Sequence, residues 1–318
     1  MSGGNVYDRR IRDGLPGQGW AVDVVEAADA AGAASVLGQT PDDALVLIDG
    51  LVAGWAPDAV EETARRARLM LLAHMVAAAF PDATDAAIDA ERRVLAAAHA
   101  VIVPSRWTAE ELARRGLVET GRVRIAPPGV DPADVAGPPC GDGRLLCVGV
   151  IAPHKGQDTL LAALAQLPDR DWSCALVGSG EPFPEFAAEI ARRSGAFDGR
   201  VRLTGVLDDT ALAEQYRRVA LLVAPSRVES SGMAIAEARA RGLPVVAART
   251  GGIPDALASG GGLLVRPGDP AALADALSAW MTDPALRARL RREALAARST
   301  LPRWATTVAT IAHSLETA

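Results

Sequence analysis

The sequence predicts an α/β protein of two domains, each a parallel sheet wrapped by crossover helices. Three observations carry that expectation. Short apolar, strand-like runs alternate with helical patterns along nearly all of the 318 residues. The alternation restarts after a Pro- and Gly-rich stretch over 127–132 and 137–143, which reads as an interdomain linker. Apolar residues, mostly Ala, Val and Leu, make up 49% of the chain, enough for a core in each half.

Taken in order, the first half reads as a helix over 5–15 and strands over 21–26, 44–48, 68–74, 100–103 and 122–126. Helices fall over 58–67, 86–98 and 108–115, the last opened by Thr108 and Glu111 at capping-box spacing. In the second half, strands are expected over 144–150, 172–177, 200–204, 219–225, 245–248 and 262–265. Helices are expected over 157–167, 185–193 and 209–218, then from near Gly232 to the stop at Gly242-Leu-Pro244. The tail is helical over 271–281, 284–297 and 303–317. The chain opens on Gly3-Gly4 at the start of a helix, without the strand that ordinarily precedes such a loop. Either the numbered chain starts downstream of the natural start, or the first domain is built around a gap. In the second case the domain is expected to be weakly stable, with an exposed sheet edge.

Charge narrows the function classes. The net charge is −6, and neither half is basic enough for nucleic acid. No apolar run reaches transmembrane length and no charged-then-apolar leader follows Met1. A cytoplasmic protein without a transmembrane segment is expected, with room for peripheral membrane contact. Three cysteines cannot all pair, and Cys147 and Cys174 fall in predicted strands as buried thiols, with Cys140 in the linker. Of 33 Lys and Arg residues a single one is Lys, Lys155.

Lys155 lies between a predicted strand and a predicted helix, at the carboxyl edge of the second sheet. There a lysine places a point charge on a diphosphate, or is simply a solvated loop lysine. The stretch Ser226-Arg-Val-Glu-Ser-Ser-Gly232 follows another strand and puts Glu229 just before a helix, with Glu237 inside it. Ser230, Ser231 and Gly232 offer free backbone N–H groups to an anion. Carboxylates accept hydrogen bonds from vicinal hydroxyls of a sugar or ribose. Equally, Glu229 suits a helix-cap charge and Glu237 a surface helix residue. His74 ends a strand of the first half, where a satisfied strand-end histidine is the plainer account. Asp169-Arg-Asp171 spells a DxD metal motif, better read as turn carboxylates, and the four histidines form no ligand cluster.

Together these pieces resemble the retaining glycosyltransferases of GT-B fold, family 4. The resemblance rests on Gly3-Gly4, His74, Pro128-Gly-Val-Asp131, Val148-Gly149 with Lys155-Gly156, Val177-Gly-Ser-Gly-Glu181, Leu203-Thr-Gly205, the Glu229/Glu237 pair, Gly251-Gly-Ile-Pro254 and Gly262-Leu-Leu-Val-Arg-Pro-Gly268. It is dense over 144–268 and looser before. It implies two Rossmann-like domains facing across a cleft, the first over 1–138 with a helix over 301–318 crossing back onto it, the second over 139–300. The implied activity is metal-independent transfer of a hexose from a nucleotide-diphosphate sugar, UDP- or GDP-linked, to a glycan, lipid or small-molecule hydroxyl, with retention and no resident cofactor. By the same resemblance Glu229, Lys155 and His74 are the catalytic set. Ser231, Gly232 and Met233 hold sugar and diphosphate by their amides, Glu237 the ribose, Gly205 and Val206 the base, and Gly3 and Gly4 approach the diphosphate. Two departures stand out. Val150 occupies the position where the family carries an Arg, which leaves a neighbour such as Arg227 to compensate, and Ser230-Ser231 replaces the usual Gly-aromatic pair. A binding protein with impaired turnover, and a sugar phosphorylase or epimerase of the same fold, are the alternatives.

Overall fold

The computed structural model describes residues 3–137, 143–168 and 171–317. Two compact units divide it: Gly4–Gly129 with the tail from Pro302, and Val130–Leu301, which also takes Gly3. Asp169 of the DxD motif and Cys140 of the linker lie outside the described residues.

The first unit runs α1 (Gly3–Gly14), α2 (Ala30–Gln39), β1 (Leu45–Asp49), α3 (Gly50–Trp55), α4 (Pro57–Ala64), β2 (Arg68–Leu72), α5 (Asp85–Ala97), β3 (Ala100–Val103), α6 (Arg106–Arg114) and β4 (Val123–Ile125). Its four strands pair in parallel in the order β1-β2-β3-β4. Successive strand residues point to opposite faces. Leu69, Leu71, Val101 and Val103 therefore pack on one face with Leu37, Val60, Leu95 and Leu112 of the helices. Met70, Leu72, Ala100 and Ile102 meet Tyr7 and Ile11 of α1 and Val308, Ile311 and Leu315 of the tail helix. The buried Tyr7 hydroxyl donates to the Ala126 carbonyl at 2.7 Å, tying α1 to the chain beyond β4.

Two expectations fail in this unit. The segment over 21–26 is not a strand, and its Val24 and Val25 are 53% and 65% exposed. A strand needs a ladder partner, and among the described residues none hydrogen-bonds this segment into a sheet. Nor does Thr108 open α6. Ser105 does, accepting from the Thr108 N–H at 3.0 Å, while Glu111 pairs with Arg114 and Arg115. Thr108 is instead a buried first-turn residue, three positions beyond the true cap.

The second unit runs β5 (Arg144–Val148), α7 (Gln157–Leu164), β6 (Ser173–Val177), α8 (Pro184–Ser194), β7 (Val201–Gly205), α9 (Asp209–Arg218), β8 (Leu221–Ala224), α10 (Met233–Ala240), β9 (Val245–Ala248), α11 (Ile253–Ala256), β10 (Gly262–Val265), α12 (Pro270–Thr282) and α13 (Pro284–Ala297). The tail helix is α14 (Trp304–Thr317). Six parallel strands lie in the order β10-β9-β8-β5-β6-β7. The chain thus starts in the middle of the sheet, winds outward to β7, and returns to β8 on the other side of β5. That reversal opens a crevice outside the carboxyl ends of β5 and β8. Two cores flank the sheet, one around Leu145, Leu176, Val223 and Trp280, the other around Leu146, Leu222, Ile235 and Val245. Cys147 and Cys174 are buried free thiols in β5 and β6.

Candidate functional site

The loops that follow β5 and β8 meet at this reversal. After β5 the chain turns through Gly149 and a short 3-10 segment, Pro153–Lys155, into α7. Gln157, fully buried at the start of α7, holds the loop from below. Its Nε2 donates to the Val150 carbonyl at 2.9 Å and its Oε1 accepts from the Ala152 N–H at 3.4 Å. Gly156 must be glycine. It lies at φ +71°, and a Cβ there would fall 2.3 Å from the Pro225 carbonyl of the other loop.

Arg227 fastens the two loops together. Its backbone N–H donates to the His154 carbonyl at 2.7 Å. Its guanidinium donates to the Pro153 carbonyl at 2.7 Å, to both Asp158 oxygens at 2.8 and 2.7 Å, and to the Thr159 hydroxyl at 2.9 Å. This planar fork is engaged on its own protein, across the loops that follow β5 and β8. Burial opposes ionisation of Asp158, yet the hydrogen bond and charge of Arg227 prevail and hold its carboxyl below the usual range.

With the loops so joined, the Lys155 ammonium reaches the Glu229 carboxylate at 2.7 Å, both side chains being mostly buried. The Ser226 hydroxyl donates to the same oxygen at 3.4 Å, and the Gly232 N–H to the other at 3.3 Å. Burial works to raise the Glu229 carboxyl. The Lys155 charge and hydrogen bond and the Gly232 amide outweigh it, and the group stays below its ordinary value, ionised at neutral pH. A third loop presses from beneath. Gly251 lies at φ +55°, and a Cβ on it would come within 1.7 Å of the Glu229 carbonyl; the Gly252 N–H donates to that carbonyl at 2.9 Å. The Gly251-Gly252 pair is thus a seat for the backbone that carries Glu229.

In the first unit, His74 follows β2. Its Nε2 lies 2.7 Å from Asp8 of α1 and 3.4 Å from Asp49 at the end of β1. Tyr7 meets the imidazole edge-on, with ring centroids 5.2 Å apart. Burial pushes the Asp49 carboxyl up while His74 pulls the other way.

Both parts of the chain match family models, "Glycosyl transferases group 1" over residues 142–283 and "Glycosyltransferase Family 4" over 48–134. The chain belongs to the group 1, family 4 glycosyltransferases. Among its relatives is the D-inositol 3-phosphate glycosyltransferase of Xylanimonas cellulosilytica, 35% identical over 65% of this chain and 54% of that protein. The Streptomyces avermitilis protein of the same name is 36% identical over 64% of this chain and 49% of its own length. The chain spans about half the length of these curated relatives. Among solved structures, a sucrose-phosphate synthase from Thermosynechococcus elongatus superposes with a TM-score of 0.84 at 23% identity, covering 100% of this chain and 94% of that one. Anabaena Alr3699/HepE, solved with UDP and glucose, gives 0.74 at 22% identity over 91% and 82%. These likenesses place the chain in the GT-B fold.

Of the expected site residues, Lys155, Glu229 and Gly232 come together at the crevice. Ser231 and Met233 flank Gly232 at the start of α10. Glu237 sits further along α10, where its Oε2 accepts from the buried Tyr216 hydroxyl at 2.9 Å. Burial raises the Glu237 carboxyl against the pull of Tyr216 and Arg241. Gly205 ends β7, two strands from β5 and so about 10 Å along the sheet, and the neighbouring Val206 is exposed. Gly3 and Gly4 open α1, with the division between the units falling between them. Sequence reasoning missed Gln157, Arg227 as a clamp, Tyr216, and the two aspartates beside His74. Only Asp49 carried a local signal, as an acidic residue ending a strand and capping the next helix.

Proposed function

We propose that this chain transfers a hexose from a nucleotide-diphosphate sugar to an acceptor hydroxyl, with retention at the anomeric carbon. The observation that carries the reading is the Lys155–Glu229 pair at the point where the strand order reverses. An ammonium has three donors, so Lys155 can keep Glu229 and still take a diphosphate oxygen. Charge developing on the leaving group would then meet a fixed cation and the amides that open α10. Glu229, ionised and anchored by Gly232, is suited to accept from sugar hydroxyls. Glu237, backed by Tyr216, is suited to the ribose hydroxyls. Same-face attack, with the departing phosphate taking the acceptor proton, requires no second carboxylate as nucleophile and no metal at the diphosphate. We place His74 at the donor sugar, and Gly205 and Val206 at the base.

The neighbouring structures solved with UDP, glucose or UDP-glucose make a UDP-hexose the first donor to test. The names of the curated relatives make an inositol phosphate the first acceptor. A second reading, donor binding with weak turnover, is favoured by Val150 together with the commitment of Arg227 to Asp158. A thermal-shift panel of UDP, GDP and TDP sugars tests the donor. The matching sugar nucleotide at 100 times its Kd should add about 2.7 kcal/mol of apparent stability. No shift with any of the three would sink both readings. A shift without product on an inositol phosphate or a broad acceptor set would select the second.

A further inference from the structure

The carboxyl edge of the first unit's sheet brings two carboxylates to one ring nitrogen. Asp8 lies in the second turn of α1, Asp49 is the last residue of β1, and His74 follows β2 by two residues. Parallel pairing sets Asp49 opposite Leu72, so the loops after β1 and β2 leave the sheet at one edge. Nε2 of His74 lies 2.7 Å from Oδ1 of Asp8 and 3.4 Å from Oδ2 of Asp49.

We propose that Asp8 is a positioning residue for sugar transfer: it keeps the His74 proton on Nε2, so that Nδ1 is the nitrogen that accepts from a hydroxyl of the donor sugar. The inference rests on the placement of His74 at that sugar. An ionised carboxylate only accepts hydrogen bonds, so a carboxylate at Nε2 requires a proton there. A neutral imidazole carries one proton, which leaves Nδ1 as its acceptor. A hydroxyl donating to Nδ1 and Nε2–H donating to a carboxylate form a chain in which each bond polarises the next. In Ser-His-Asp hydrolases an aspartate sets a histidine tautomer in the same way, and asparagine in its place lowers turnover while the geometry stays intact.

Asp8 rather than Asp49 carries this role. Asp49 spends Oδ1 on the Leu51 and Val52 amides at 2.7 and 3.1 Å, as the cap of α3, and its other oxygen is the more distant from Nε2. Asp8 makes the short contact, and its place is set by the fold around it. The neighbouring Tyr7 donates to the Ala126 carbonyl at 2.7 Å, which pins α1 to the sheet. The buried Tyr7 ring also meets the imidazole edge-on, fixing its plane. The Asp8 side chain is 38% exposed against 16% for His74, so its charge can be removed without opening the core.

Two measurements on the full chain test this. With ¹⁵N-labelled histidine, long-range ¹H–¹⁵N correlation shows which nitrogen of each neutral ring carries the proton. The His74 signal is assigned by its ring-to-ring Overhauser contact with Tyr7, whose centroid is 5.2 Å away. Wild type should show the Nε2–H form alone. Asp8→Asn, whose amide donates as well as accepts, should show a mixture of tautomers. Turnover is read as nucleoside diphosphate released from the sugar nucleotide that raises the melting temperature, which registers transfer and donor hydrolysis alike. In Asp8→Asn kcat should fall at least about 10-fold while the donor KM stays within about threefold, because Asp8 does not itself touch the sugar. Asp8→Glu, which restores the carboxylate, should recover part of the loss, and far-UV dichroism checks that both variants fold. The wild-type spectrum needs no variant. Nδ1–H in wild type, or an unchanged tautomer or unchanged kcat in folded Asp8→Asn, overturns the inference while donor binding stands. Failure of every sugar nucleotide to bind instead overturns the transferase reading, and the inference with it.

Discussion

The two sheets are spelled by the same alternation of strand and helix, yet they are wound differently. The second places its first strand, β5, in the middle and reverses at β8, so two adjacent loops diverge and leave a crevice between them. The first runs β1-β2-β3-β4 without reversal. Helices between its strands then gather on one face, and α1 and α14 cover the other. In the second unit three loops lock on one another through Arg227, Gly156 and Gly251. In the first, the groups at the strand ends are held by side-chain contacts, Asp49 to the Leu51 and Val52 amides and His74 to Asp8 and Asp49. A preformed site thus arises where strand order forces loops apart and close backbone approach fixes them again.

Five substitutions would break or sharpen that contrast. The largest effect is expected at Gly251→Ala. A methyl cannot fit 1.7 Å from the Glu229 carbonyl, and φ +55° adds strain, so a loss of about 4 kcal/mol or more is expected. In calorimetry the second unit's Tm should fall by roughly 8–16 °C. The first unit's counterpart, Gly50→Ala at the start of α3, meets the Leu72 carbonyl only at 3.2 Å and should stay within about 1 kcal/mol. Equal losses at the two glycines would erase the distinction between locked and loosely held loops.

Next comes Lys155→Ala. Turnover should drop at least about 10-fold, the loss of one charge-assisted contact worth roughly 1.5–3 kcal/mol. Circular dichroism should show the fold intact. Unchanged kinetics would remove Lys155 from the site.

Arg227→Lys keeps the charge and loses the fork to Asp158, at a cost of about 1–2 kcal/mol in urea unfolding. The sign of its pH dependence is set by Asp158. A carboxyl held below its unfolded value of about 4 adds stability above that pH and loses it as the pH falls through the lowered folded value. The wild type should therefore lose stability more steeply below about pH 4 than Arg227→Lys. Parallel acid limbs would mean the clamp contributes nothing.

The smallest effect is expected at Val24→Thr, in the segment whose pattern reads as a strand. It is exposed and unpaired, so denaturant midpoints should move by less than about 0.5 kcal/mol. A larger loss would show that the segment is packed in solution.

Much of this architecture is legible from pattern alone. Apolar runs such as Leu69–Leu72 and Leu221–Ala224 are buried strands because alternation with helices leaves a parallel sheet as the way to bury both faces. Lys155 and Glu229 were findable because each follows a strand at the carboxyl edge, where ligands gather in such sheets. The segment over 21–26 misled because β propensity speaks for side chains, whereas a strand also requires a neighbour. Thr108 misled because its spacing to Glu111 fits a capping box whether or not the helix starts there. Gln157 and Tyr216 were invisible because a buried polar residue shows itself only through partners distant in sequence, here the Val150 carbonyl and Glu237.

By itself the sequence determined the α/β class, the order of its elements, the single lysine and the two carboxylates around a helix start. These follow from periodicity and local residue chemistry, which act over a few positions. The tertiary structure decided which strands are neighbours, that Lys155 and Glu229 touch although 74 residues apart, that Arg227 clamps two loops together, and that Asp8 and Asp49 converge on His74. Each of those depends on loop closure and strand order, and a contact between distant residues leaves no periodic trace in the chain that makes it.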